Sequence, residues 1–179
     1  MKVLEAIMHY LQKNEWADEK QPLHIGEAMG CWVYYTAIAE EIPALDISLN
    51  TTTDAELKEL LLEAKEIALS QKKILKDFMF KEGIPLSQTE SLKPMSRTED
   101  IPLGARSTDD EMANLVSIKA ASGIVACATN LSQSIRTDLG LMWARFQSEK
   151  TMFATKLRMK MKKRGWLKVP PAYIPPGKR

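Results

Sequence analysis

The clearest pattern of apolar and polar positions lies between Asp109 and Gly165, a proline-free tract that reads as two consecutive helices. In its second half Leu139, Met142, Phe146, Phe153 and Leu157 recur at helical spacing, the stripe of a helix packed on one side. Lys162, Lys163 and Arg164 crowd the last turn and Gly165 follows, a combination that ends helices. In the first half Met112, Leu115, Val116, Ala120, Cys127 and Leu131 form one stripe, and Ile118, Ala121, Val125 and Ala128 form another. From Ala120 to Ala128 this helix is apolar nearly all round, which predicts cover on more than one face. Asp109, Asp110 and Glu111 suit its N-terminus, and Ser132 to Arg136 is the predicted turn into the next helix.

The first half of the chain supplies two more long helices. Pro22 suits a first turn, and Ile25, Met29, Trp32, Thr36, Ala39 and Ile42 follow as a stripe. Pro43 should kink or break that helix near Ala39, with Leu45 to Leu49 continuing it and Asn50-Thr51-Thr52 stopping it. Thr53 with Glu56 reads as a capping box for the second helix. Leu57, Leu60, Leu61, Ala64, Ile67, Ala68, Ile74, Leu75 and Phe78 make its stripe, and Gly83 and Pro85 end it. Its length is roughly 43 Å. Ahead of the bundle, Val3 to Leu11 predicts a short amphipathic helix, and Trp16 an anchor for the arm that carries it.

Ile84 to Thr108 has three prolines, many polar residues and no apolar period. About 25 residues can span roughly 80 Å, enough to run the length of a bundle and start the third helix beside the start of the second. The predicted fold is therefore all-α, a ferritin-like four-helix bundle with a long crossover between the second and third helices. Disorder of the linker is the rival reading. The expected organisation is an N-terminal arm (1–21), the bundle (22–165) and a proline-rich tail (166–179), whose Trp166, Tyr173 and Ile174 predict docking onto the bundle or a neighbouring subunit.

Net charge is +2 at pH 7, but it is unevenly spread: ten basic and no acidic residues from Lys150 onward, 15 basic and 23 acidic before it. The basic end suits acidic partners, lipid headgroups or nucleic acid; the plainer account is a favourable charge–dipole arrangement at a helix C-terminus beside an acidic body. No nucleic-acid partner is expected. Two cysteines are too few for a disulfide framework. No signal peptide is expected, since Glu5 and His9 interrupt the first apolar residues, nor any transmembrane segment.

Chemistry is sparse. A two-metal carboxylate bundle needs Glu-x-x-His on two helices, and no Glu-x-x-His occurs in the chain. His24-Ile25-Gly26-Glu27 has the reverse order at a helix start and reads as surface or capping. Phosphate-binding glycine loops are absent, and Cys127 reads as a small buried apolar residue. No catalytic residue, metal site or cofactor is assigned. Tyr34, Glu40, Gln71 and Glu149 are the candidates for a polar or ligand-binding core, with Lys119 or Lys156 as partners for the acids. Ala121 and Val125 are the candidates for an interface, expected to be that of a symmetric homodimer.

Seven segments occur here in an order that resembles a known family. They are Pro22–Glu27, Asn50–Asp54, Gly83–Pro85, Ile101–Arg106, Thr108–Glu111, Ser132–Gly140, and Gly165–Leu167 with Pro170-Pro171. The family is an uncharacterised ferritin-like group of endospore-forming bacteria labelled as spore coat proteins and related to coat protein F. Ser132–Gly140 is the most specific stretch, and Pro43 departs from the pattern. The resemblance implies a single ferritin-like bundle; with the sparse cysteines suggesting a reducing compartment, the expected location is cytoplasmic or spore-associated, and other spore or coat proteins are candidate partners. It brings no catalytic residues. The expected function is that of a non-enzymatic structural or interaction protein; the alternative is a bundle that binds a small ligand or metal in its polar core.

Overall fold

The structure, a computed structural model, describes residues 21–177 apart from 89 and 90. It contains four helices, α1 (Ile25–Thr51), α2 (Ala55–Glu82), α3 (Asp109–Gln133) and α4 (Thr137–Arg164), and two 3-10 turns at Thr98–Asp100 and Leu103–Ala105. The Val3–Leu11 helix and the Trp16 anchor expected from the sequence lie outside the described residues.

Local chemistry sets the helix ends. Gly83 and Gly165 cap α2 and α4 at φ +72°, where a side chain would be strained. α1 begins at Ile25 rather than at Pro22, because His24 is its cap. The His24 Nδ1 accepts from the N–H groups of Gly26 and Glu27, and Glu27 Oε2 accepts from the His24 N–H. The box expected at Thr53 and Glu56 does not form. Asp54 caps α2 by accepting from Leu57 N–H at 2.9 Å, and the Thr108–Glu111 pair forms a box on α3.

Helix directions follow from what touches what. Thr52 Oγ1 donates to Asp109 Oδ1 at 2.6 Å, so α2 and α3 start at the same end. His24 Nε2 lies 3.2 Å from the Gln133 carbonyl, so α1 starts where α3 finishes. The crossover therefore travels the length of the bundle. It is held on the way: Asn50 Nδ2 donates to the Pro94 carbonyl, Ser96 N–H donates to Asn50 Oδ1, and Asp46 accepts from Lys93 N–H and from Lys65 Nζ. The result is the all-α bundle with one long crossover predicted from sequence.

Two departures concern α1. The helix passes through Pro43 without a break, and the proline ring is buried between the buried Ile42 and Leu45. Packing of that turn offsets the backbone bond that proline cannot make. The inward face also departs from the expected stripe before Ala39, although Ala39 and Ile42 of that stripe are buried. Cys31, Tyr34, Tyr35, Ile38, Ile42 and Leu45 are buried, while Ile25 is 86% and Met29 57% exposed. α2 and α4 turn the stripes read from sequence inward, with Ile67, Ile74, Phe78 and Met142 half-buried; α3 buries Met112, Val116, Ala120 and Cys127 but leaves Leu115 and Leu131 of the predicted stripe exposed.

The core has two apolar regions. One, at the start of α1, gathers Tyr34, Tyr35, Leu75, Met79, Leu139, Trp143 and Phe146. The other, at the start of α2, gathers Leu57, Leu61, Met112, Phe153, Leu157 and Met161, with Trp166 and Leu167 of the tail packed against it. Only this beginning of the tail docks; Val169, Tyr173 and Ile174 are exposed. Asn114 Nδ2 donates to the Trp166 carbonyl at 3.0 Å, and Lys168 pairs with Asp110 at 2.6 Å. Truncation after Gly165 is therefore expected to cost about 2 kcal/mol, from the half-buried Trp166 and Leu167. Truncation after Lys168 should leave stability unchanged. Calorimetry distinguishes the two, and equal midpoints for the full chain and the first truncation would show that these side chains contribute nothing.

Candidate functional site

The polar layer of the bundle lies largely within the first apolar region, and each helix contributes to it. Tyr34 of α1 donates to Gln71 Oε1 of α2 at 2.9 Å. Gln71 Nε2 donates to Glu149 Oε2 of α4 at 3.0 Å and to the Phe146 carbonyl at 3.3 Å. Cys127 Sγ of α3 donates to the Tyr34 hydroxyl at 3.2 Å, and Arg145 Nε donates to Glu149 Oε1 at 2.9 Å. Gln71 and Cys127 have no exposed surface. A fully bonded chain of this kind fixes one packing arrangement and leaves its members little to offer a ligand.

Three of the four predicted core residues thus come together, and the fourth does not. Glu40 is exposed. Its neighbour Glu41, turned about 100° around the helix, faces inward and accepts from Lys150 Nζ at 3.2 Å. Lys150 is buried, its side chain 6% exposed, and Glu41 is half-buried beside it. The sequence reading missed this pair. Gly123, which stands beside Lys150, was its available signal. A Cβ at Gly123 would lie 2.6 Å from Lys150 Cδ, so the absent side chain is what lets the lysine stem pass.

Between α1 and α3, above that pair, is a cavity of about 290 Å³. Tyr34, Ile38 and Glu41 form one wall and Ile118, Ser122 and Gly123 the other; Lys119 stands at the rim and Lys150 reaches in from α4. Near the start of α1 the same two helices are close: a Cβ on Gly30 would lie 2.4 Å from Asn130 Oδ1.

Burial holds the Tyr34 hydroxyl and the two thiols in their neutral forms. Burial raises the Tyr34 hydroxyl far above its ordinary value, and the adjoining Cys127, Glu41 and Glu149 add to the shift. Burial pushes the Cys31 thiol up to about 12, with Glu27 adding to it. Burial likewise raises Cys127, although the bond to Tyr34 opposes it. Neither thiol is an activated nucleophile. Among the described residues no three His, Cys, Asp or Glu side chains converge as metal ligands would.

A second polar cluster joins three elements at the start of α1. Glu27 is buried; its Oε1 accepts from the N–H groups of Ile135 and Arg136 at 2.8 and 3.0 Å, in the turn that starts α4. The Arg136 guanidinium donates to both Glu82 oxygens at 2.7 and 3.0 Å and to both Asp138 oxygens at 3.0 and 2.6 Å, and it lies over the Phe78 ring. These carboxylates raise the arginine pKa against the opposing effect of burial.

The basic face of α4 is largely matched by acids of α2. Lys156 pairs with Glu63, Lys160 with Glu56 and Arg164 with Asp54. Lys156 therefore does not serve the core acids; Glu149 has Arg145 instead. Ala121 and Val125 face outward alongside Leu115 and Ile118; Val125 is 65% and Ile118 64% exposed. By length and composition alone α3 could cross a membrane, but it packs along the bundle through Met112, Val116, Ala120 and Cys127.

These features define a four-helix bundle with one long crossover, closed at one end by a buried arginine–carboxylate cluster. The chain belongs to the family of proteins of unknown function DUF3231, whose pattern matches residues 12–178. It is similar to the uncharacterised protein YvdQ of Bacillus subtilis, 31% identical over 156 residues that cover 87% of this chain and 92% of the relative. A crystal structure of a putative spore coat protein from Bacillus halodurans superposes with a TM-score of 0.85 at 32% identity, covering 88% of this chain and 99% of that one. A conserved hypothetical protein from Mycobacterium tuberculosis shares the fold at 10% identity, with a TM-score of 0.62 over 75% of this chain and 96% of the other.

Proposed function

We propose that this chain is a non-enzymatic structural or interaction protein of the sporulating cell or spore, a ferritin-like bundle that works through its outer surface. The observation that carries the reading is the exposed face of α3, where Leu115, Ile118, Ala121 and Val125 present apolar atoms at successive turns. Contiguous apolar surface of this kind usually marks an interaction site. The coat description of the similar Bacillus halodurans protein supports the cellular setting. A ligand or metal held by Tyr34, Gln71 and Glu149 finds less support, since those groups already bond one another and Glu40 faces solvent.

A second copy is the partner we assign to the α3 face, in a two-fold homodimer. Val125→Glu or Ala121→Glu should then separate the subunits without changing the helical signal, because both side chains point outward. Light scattering at micromolar concentration reads the outcome; a monomeric wild type removes the dimer. The function itself is tested by following a fluorescently tagged copy through sporulation. Enrichment at the developing spore is expected, and uniform signal in the mother cell with none in purified spores would overturn the coat reading.

A further inference from the structure

The cavity between α1 and α3 is a different feature from the saturated polar layer, and its chemistry selects a ligand. Its walls are predominantly apolar, from Ala37, Ile38, Ile118 and Ala126. Its charged members are Lys119 and Lys150 against Glu41, a balance of one positive charge. Lys150 is the informative group. It is buried, it carries three N–H donors, and among the described residues Glu41 alone accepts from it. A buried ammonium with donors to spare is costly unless something else accepts from it. Gly123 gives it the room to stand there. At about 290 Å³ the space is at the small end of ligand cavities, which begin at about 300 Å³.

We propose that this cavity binds a small amphiphilic monocarboxylate. The carboxylate accepts from Lys150, from Lys119 at the rim and from the Ser122 hydroxyl, and a short hydrocarbon body lies against Ile38, Ile118 and Ala126. One negative charge balances the site, and the apolar walls exclude a fully hydrated inorganic anion. The proposal does not rest on the spore reading, although Ile118 belongs both to this cavity and to the outer face of α3.

Sodium octanoate is the probe, titrated calorimetrically into the full chain, with 1-octanol and octylammonium as matched controls. Octanoate should bind one to one, and octanol at least about tenfold more weakly, since hydrogen bonds to charged groups contribute that much. Lys119→Met, at an exposed position, should weaken octanoate by about the same factor. Ala37→Phe, which fills the cavity from its exposed wall, should abolish binding at an unchanged melting temperature. Methyl resonances of Ile38 and Ile118 should shift on saturation. No binding at millimolar octanoate, equal affinity for octanol, tighter binding of octylammonium, or full binding by Ala37→Phe would each overturn the proposal. Lys150→Met is a further variant, and the two exposed substitutions decide the matter if it fails to fold.

Discussion

Arg136→Met is expected to destabilise the bundle more than any other single change outside the apolar core, by about 3–5 kcal/mol. For a chain of this size that lowers the thermal midpoint by roughly 10 °C. Methionine matches the length of the arginine stem but takes four charge-assisted hydrogen bonds away from Glu82 and Asp138 and the guanidinium from the Phe78 ring. The loss is greatest at Glu82, whose side chain is only 15% exposed and which receives the bidentate fork. Arg136→Lys should recover a minority of the stability, because an ammonium cannot reproduce two parallel bonds to each of two carboxylates. The double variant Arg136→Met with Glu82→Gln should be more stable than Arg136→Met alone, since much of the cost lies in the buried carboxylate and not in the missing cation. Denaturant melts of the four proteins check this. A loss below about 1 kcal/mol, the range of surface pairs, would show that the cluster is solvent-screened and not a fastening of the bundle end.

The fold was legible because three of its signals are local. Gly83 and Gly165 follow long apolar periods and both adopt the left-handed cap. The stripe from Leu57 to Phe78 admits one inward face, and the linker has no period yet is long enough to return along the bundle. α1 was less legible because Ile25, Met29, Trp32, Val33, Tyr34, Tyr35 and Ile38 place apolar side chains all round it, so spacing cannot choose the buried face. Contacts from the other helices choose it, and they turn Cys31, Tyr34 and Ile38 inward. α3 shows the converse: it is apolar on two sides, and the bundle covers only one of them.

Capping was ambiguous for a related reason. Thr52, Thr53 and Asp54 are all competent caps, and the decision falls to Thr52 bonding Asp109 across 57 residues of sequence, which leaves Asp54 to α2. Gln71 and Glu149 fall at helical spacing from Ala68, Leu75, Phe146 and Phe153 of the expected stripes, whereas Tyr34 lies off the stripe expected for α1. Glu40 was chosen over Glu41 through the same misjudged rotation of α1. Lys150 and Arg136 carry no such signal, because basic side chains are usually solvated and the burial of these two depends on partners from other elements, Glu41 for one and Glu82 for the other.

Glu27 supplies the second large effect, and it is a pH-dependent one. Burial by itself would raise its carboxyl pKa. The N–H groups of Arg136, His24 and Ile135 and the nearby His24 ring outweigh burial and leave it below the ordinary value of 4.5. A carboxyl whose folded-state pKa is depressed binds fewer protons in the folded than in the unfolded state, so its contribution is complete above about pH 4.5 and fades as pH falls through the folded value. Glu27→Gln keeps the shape and one acceptor oxygen for Ile135 and Arg136, but turns an amide N–H₂ toward the His24 N–H that Oε2 now accepts. The expected cost near pH 7 is about 2 kcal/mol, the usual value of hydrogen bonds to a charged group. Below the folded pKa the wild-type carboxyl is itself protonated, so the two proteins should converge in stability on the acid limb. Glu82 and Asp138 pair with Arg136 in both proteins, which makes the difference between the two curves the proper readout. Chemical denaturation at intervals from pH 7 to about pH 3 measures it. A gap that keeps its full size across that range would mean Glu27 acts through its shape, and that its charge contributes nothing to holding the start of α4.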